Sequence, residues 1–155
     1  MNHRKIILYL AVLVLASCGS NPPECNYEGE SSVQANAGCL IIEEGKILIT
    51  EGIFGAFQLP AGTISGGEPA QCTAERETWE ETGLTVRANN LFKNFENGFM
   101  LFDCDVIGNQ AKDGSDRPFG LEVKNVHWLG SKDFAGKKWR YPDQAEIIKK
   151  YLEEM

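Results

Sequence analysis

A chain of 155 residues with 43% apolar content can form one domain with its own core and is short for two. Twenty-two acidic against 15 basic side chains give a net charge of −7, a surface that repels nucleic acid and anionic lipid headgroups. Such a protein can take a polyphosphate ligand when a divalent cation stands between its carboxylates and the anion, so the charge balance points towards a metal.

Arg4 and Lys5 form a basic start, and Ile6 to Leu15 form an apolar run of ten residues, too short to span a bilayer stably. Leu15-Ala16-Ser17-Cys18 follows, with small residues just before a cysteine. This stretch resembles the lipobox of bacterial lipoproteins. The resemblance implies a signal peptide over residues 1–17, lipidation of Cys18 and a membrane anchor, since two or three acyl chains at about 0.8 kcal/mol per buried methylene hold firmly. Gly19 in place of Asp implies, by the same resemblance, transfer to the outer membrane. The expected location is therefore the periplasmic face of that membrane in a bacterial cell envelope. An uncleaved signal anchor or an ordinary secretory peptide is the alternative.

Residues 18–35 are rich in Asn, Pro, Ser, Gly and Glu, and Pro22-Pro23 suits neither a helix nor a central strand, so this segment is expected to be a lipidated tether. The catalytic or binding domain is expected over residues 36–155. Within it, Ala37 to Ile42 and Ile47 to Thr50 read as strands joined by a tight turn at Glu43-Glu44-Gly45. A loop containing Gly52, Gly55, Pro60, Gly62, Gly66 and Gly67 leads to Pro69, which opens a helix running to Thr82, with Gly83 as its stop. Leu84 to Arg87 and Phe99 to Ile107 read as strands, the second entered through Asn97-Gly98 and carrying Met100, Phe102, Cys104 and Val106 on one face. Asn109 to Pro118 is polar and turn-rich, Val126 to Leu129 is a short strand, and Pro142 to Met155 has the pattern of an amphipathic helix. In an oxidising compartment Cys25, Cys39, Cys72 and Cys104 allow two disulfides with three connectivities, or remain buried thiols; their spacing gives no CxxC pair and no zinc site.

Between Gly62 and Leu84 the sequence reads GTISGGEPAQCTAERETWEETGL. At about 100° per residue, Glu77, Glu80 and Glu81 fall within roughly one third of a helix circumference. Alone, such a face is commonly a solvated one held by pairs such as Arg76 with Glu80. A Gly-rich loop at the start of the same helix, together with hard carboxylate oxygens, makes it instead a candidate phosphate and Mg²⁺ site.

The segment resembles the Nudix box, G-x5-E-x7-R-E-U-x-E-E-x-G-U, where U is bulky and apolar. Gly62, Glu68, Arg76, Glu77, Glu80, Glu81, Gly83 and Leu84 occupy its positions, and Thr78 stands where an aliphatic residue is usual. The resemblance implies an α/β (α+β) fold, the Nudix α/β/α sandwich with a mixed sheet. It also implies that Glu77, Glu80 and Glu81 ligate Mg²⁺ or Mn²⁺, joined by the backbone carbonyl of Ala61, and that Arg76 orients the glutamates. Gly62, Glu68 and Gly83 are structural in the motif. Glu122 is the best placed further glutamate by analogy, as ligand or as structural residue. The implied activity is hydrolysis, by metal-activated water, of a diphosphate bond in a small molecule, a nucleoside diphosphate linked to another moiety. The alternative is a catalytically weak Nudix-fold lipoprotein that binds or senses nucleotides.

Substrate markers outside the box are missing, so the substrate goes unnamed. Phe54, Phe57, Phe95, Phe99 and Trp128 offer a stacking surface for a base or simply core. His127 is the one histidine outside the signal region and is expected to be structural.

Overall fold

The structure, a computed structural model, describes residues 21–28, 33–108, 110–115 and 122–155. The expected signal peptide, Cys18 and part of the polar 109–118 loop lie outside the described residues. In chain order the elements are β1 (Ala37–Leu40), β2 (Ile42–Glu43), β3 (Lys46–Gly52), β4 (Phe57–Gln58), β5 (Ala61–Gly62), α1 (Ala70–Thr82), β6 (Val86–Asn94), β7 (Met100–Val106), β8 (Val123–Leu129), a short 3-10 turn at Ser131–Phe134, and α2 (Pro142–Glu154). No helix among the described residues is long and apolar enough to cross a membrane.

One sheet runs β5-β1-β7-β6, with β1 parallel to β7 and the other pairs antiparallel. In the second sheet β3 pairs antiparallel with β2, β4 and β8. The strand expected over residues 37–42 is therefore divided between two sheets. The chain leaves the first sheet at Ile41, and the hairpin is β2–β3, its turn formed by Glu44 and Gly45 at φ 51° and 72°.

Strand alternation sets the layers. Cys39, Leu48 and Phe102 pack in a cluster with Ala70 and Ala74 of α1. Their sequence neighbours Leu40, Ile47, Ile49 and Leu101 pack in a second cluster with Ala145 and Ile148 of α2. Adjacent residues of a strand point to opposite faces, so the sheets lie between α1 and α2 and the fold is an α/β/α sandwich.

Helix α1 ends where Gly83 adopts φ 79° and returns its N–H to the carbonyl of Trp79 at 2.8 Å. The outward side of the helix is not left to solvent. Cys25 and Cys72 form a disulfide, the Asn26 N–H donates to Glu75 Oε2 at 2.5 Å, and Asn26 Nδ2 donates to the Val86 carbonyl at 3.3 Å. Part of the segment expected as a tether is thus a strap across α1, and Glu75 and Trp79 are buried. The other disulfide, Cys39–Cys104, joins β1 to β7 inside the core. The strand expected to end at Arg87 continues to Asn94, with register shifts after Ala88 and after Leu91.

Candidate active site

The Gly-rich loop and helix α1 are tied together by Arg76. Its Nη2 donates to the Thr63 carbonyl at 2.8 Å and to Glu68 Oε1 at 2.8 Å, and its Nη1 to Glu77 Oε1 at 2.9 Å and Glu80 Oε2 at 3.3 Å. Burial works against the guanidinium charge, but the bonds to Glu68 and the field of Glu77 outweigh it and raise its pKa. Glu68 accepts in addition from the Ser65 N–H at 3.1 Å and the Thr73 hydroxyl at 3.2 Å. Burial alone would raise its carboxyl; these donors, Arg76 first, hold it below the ordinary value. The loop is pinned to the helix by a saturated ion pair, and both partners are committed to that task.

Glu77 lies against β5. A Cβ built on Gly62 would fall 2.0–2.4 Å from the Glu77 carboxylate, so any side chain here would push that carboxylate from its place. Glu81 is the most enclosed acid of the group, at 6% exposure, with Oε2 accepting from the Ala61 N–H at 3.1 Å and Oε1 from Gln58 Nε2 at 3.3 Å. Burial, and after it the fields of Glu77 and Glu122, push its carboxyl up to about 8 despite the Ala61 bond. Glu77 is raised for the same reason, with Arg76 opposing and Glu80 and Glu122 adding.

These acids open onto one cleft of about 920 Å³, whose walls include Ala61, Gly62, Glu77, Glu80, Glu81 and Glu122. The structure thus brings together every expected metal-ligand candidate. Arg76, Glu68 and Gly83 stand behind them, with Gly83 closing the helix. Among the described residues, no three His, Cys, Asp or Glu side chains are drawn together closely enough to enclose an ion, because Arg76 holds Glu77 and Glu80 while Ala61 and Gln58 hold Glu81. The donor set nevertheless fits a hard divalent cation: oxygen atoms only, two of the carboxyls pushed towards neutrality by burial and mutual repulsion, and a glycine that leaves space beside one of them.

Of the five aromatic side chains weighed for base stacking, Phe99 alone lines the cleft. Phe54 is 85% exposed, and Phe57 packs on His127 and Trp139. His127 bonds Glu51 at 2.9 Å away from the cleft, where hydrogen bonds from Asn125 and then His127 hold the Glu51 carboxyl down at about 2. Gln58, Arg140, Tyr141 and Gln144 also line the cleft, and no sequence motif marks them.

A sequence model of the NUDIX domain matches residues 33–151. The chain is 31% identical over 116 residues to a "MutT-like protein" of Streptomyces ambofaciens, with 71% of each chain covered. In structure it is similar to a NUDIX hydrolase from Nitrosomonas europaea, with TM-score 0.65, 21% identity, and 79% of this chain and 90% of that one covered. It is also similar to an ADP-ribose pyrophosphatase from Streptococcus suis, with TM-score 0.57, 19% identity, and 75% and 89% covered. At such identities the structural likenesses speak for the fold, while the sequence match and the occupied box speak for the family. This chain belongs to the Nudix family and is a hydrolase of diphosphate bonds.

Proposed function

We propose that the enzyme works with Mg²⁺ or Mn²⁺ held by Glu77, Glu80 and Glu81, with the Ala61 carbonyl and Glu122 as further ligands, and that its substrate is a nucleoside diphosphate linked to a second moiety. The observation that carries this reading is Glu81, a buried carboxyl raised to about 8 beside Glu77 and Glu122 on an open cleft. A cation bound there neutralises phosphate charge and makes water more acidic. Arg76 fixes the helix to the loop, so that Glu77 and Glu80 keep their direction through turnover. The Ala61 N–H, donating to Glu81 Oε2 at 3.1 Å, fixes this carboxyl against β5. One water is consumed: its oxygen joins one phosphorus, the bridging oxygen leaves with the other, and two monophosphates result.

The likeness to an ADP-ribose pyrophosphatase of Streptococcus suis supports a nucleoside diphosphate with a further group attached. The lipobox supports attachment to the membrane through Cys18, at the periplasmic face of the outer membrane, where free nucleoside triphosphates are scarce and a scavenged or lipid-linked diphosphate is the fitting substrate. Purified residues 19–155 should hydrolyse at least one member of a panel of sugar nucleotides, ADP-ribose and dinucleoside polyphosphates when Mg²⁺ or Mn²⁺ is added, and none in chelator. Metal-independent turnover, or none across the panel, refutes the reading. Fatty-acid labelling of the exported protein should be lost in Cys18→Ala, and an unlabelled wild type refutes the anchor.

A further inference from the structure

The cleft carries four acids and, among its described lining residues, a single basic side chain. Glu77, Glu80, Glu81 and Glu122 line it, and among its described lining residues Arg140 is the one Lys or Arg. Backbone pairing sets the place of Arg140. Phe57 N–H donates to the Lys138 carbonyl at 2.8 Å, Arg140 N–H donates to the Phe57 carbonyl at 2.9 Å, and a parallel bridge links Phe57 to Trp139. Residues 138–140 are thereby laid along β4, which sets Arg140 beside Gln58. The guanidinium lies 5.4 Å from the Tyr141 ring centroid, and its Nη1 donates to Gln58 Oε1 at 3.0 Å; Gln58 Nε2 in turn donates to Glu81 Oε1 at 3.3 Å. A guanidinium has five N–H donors in a planar fork suited to phosphate; Arg140 gives one to the neutral Gln58 amide, and its charge also acts on Glu81, whose carboxyl it lowers against burial.

A diphosphate carries charge on both phosphoryl groups. One group belongs with the glutamates, where a cation must accompany it. The other needs a positive partner of its own on the far side of the bridging oxygen. We propose that Arg140 is the anion-binding residue of this cleft, taking the phosphoryl group that the cation does not hold and so selecting a diphosphate over a monophosphate. The proposal rests on the hydrolase reading above and adds the residue that recognises the second phosphoryl group.

Methylenediphosphonate and methylphosphonate are suitable probes, because neither can be hydrolysed at an anhydride and neither requires the nucleoside to be known. With Mg²⁺ present, the wild type should bind methylenediphosphonate at least about tenfold more tightly than methylphosphonate in calorimetry, the range expected for a charge-assisted bond. Arg140→Ala should erase that preference, and Arg140→Lys should keep part of it. Arg140→Gln, which retains an N–H donor without the charge, serves if the alanine variant fails to fold, and it too should lose the preference. An unchanged preference in the Arg140 variants overturns the proposal while leaving turnover by the wild type to support the hydrolase reading. A wild type that binds neither probe overturns the proposal, and if it also turns over no diphosphate the hydrolase reading falls with it.

Discussion

Helix α1 buries two glutamates on different sides, and they have opposite characters. Glu75 and Glu81 are 5% and 6% exposed, and burial raises both carboxyls. Glu75 accepts the Asn26 N–H at 2.5 Å and the Ala88 N–H at 2.9 Å, one on each oxygen, beneath the N-terminal strap. Glu81 has a single backbone donor, faces other carboxylates and opens to the cleft. Burial therefore does not distinguish a structural acid from a chemical one; the sign of the neighbouring charge and the access to ligand do.

The largest effects should come from the cleft side. Glu81→Gln should lower kcat by about a hundredfold or more without loss of Tm, since it removes a ligand oxygen while leaving a neutral group where burial disfavours charge. Wild-type turnover in this variant would erase the distinction. Gly62→Ala should cost comparable activity, because the new Cβ overlaps the Glu77 carboxylate, while circular dichroism retains the folded signal.

The strap side should answer in stability instead. Cys25→Ser with Cys72→Ser opens a disulfide spanning 47 residues, whose loop entropy corresponds to at most about 4 kcal/mol, so Tm should fall while kcat of the folded protein stays within a few-fold. Glu75→Gln should do the same more weakly, by about 1–3 kcal/mol, because one N–H donor would face an NH₂ group in place of an oxygen. A collapse of kcat in either variant would show that the strap and the cleft are not separate.

The chemistry of this molecule was more legible in its sequence than its scaffolding. The box placed Glu77, Glu80 and Glu81 on one helix, and Pro69 and Gly83 marked its ends, because capping and helical spacing are local properties. Strand β6 beyond Arg87 was not legible: Asn89-Asn90 interrupts the alternation, and the shifts in pairing with β7 remove the period of two on which such reading depends. Strands β4 and β5, two residues each, are held by their neighbours and not by any pattern of their own. The polar composition of residues 18–35 suggested a tether and carried no sign of the contacts that residues 21–28 make with α1, the Cys25–Cys72 disulfide among them. Arg140 had no local signal, since it reaches the cleft through a bridge to a strand more than eighty residues earlier.

The pKa of Glu81 gives the comparison a pH signature. Because the folded value, about 8, stands above the ordinary 4.5, its contribution to stability in the metal-free protein is fully present below pH 4.5 and is lost as pH rises towards 8. Melting curves from pH 5 to 8 should therefore slope downward more in the wild type than in Glu81→Gln.

The most direct test of the central claim, that the Glu81 side of α1 is a divalent-cation site, is calorimetric titration with Mg²⁺ or Mn²⁺ at pH 7 in buffers of different ionisation enthalpy. Because burial raises the Glu81 carboxyl and it must ionise to ligate, binding should release protons in the wild type and in Glu75→Gln, with less release and weaker affinity in Glu81→Gln. Equal binding and equal proton release in Glu81→Gln would contradict the account.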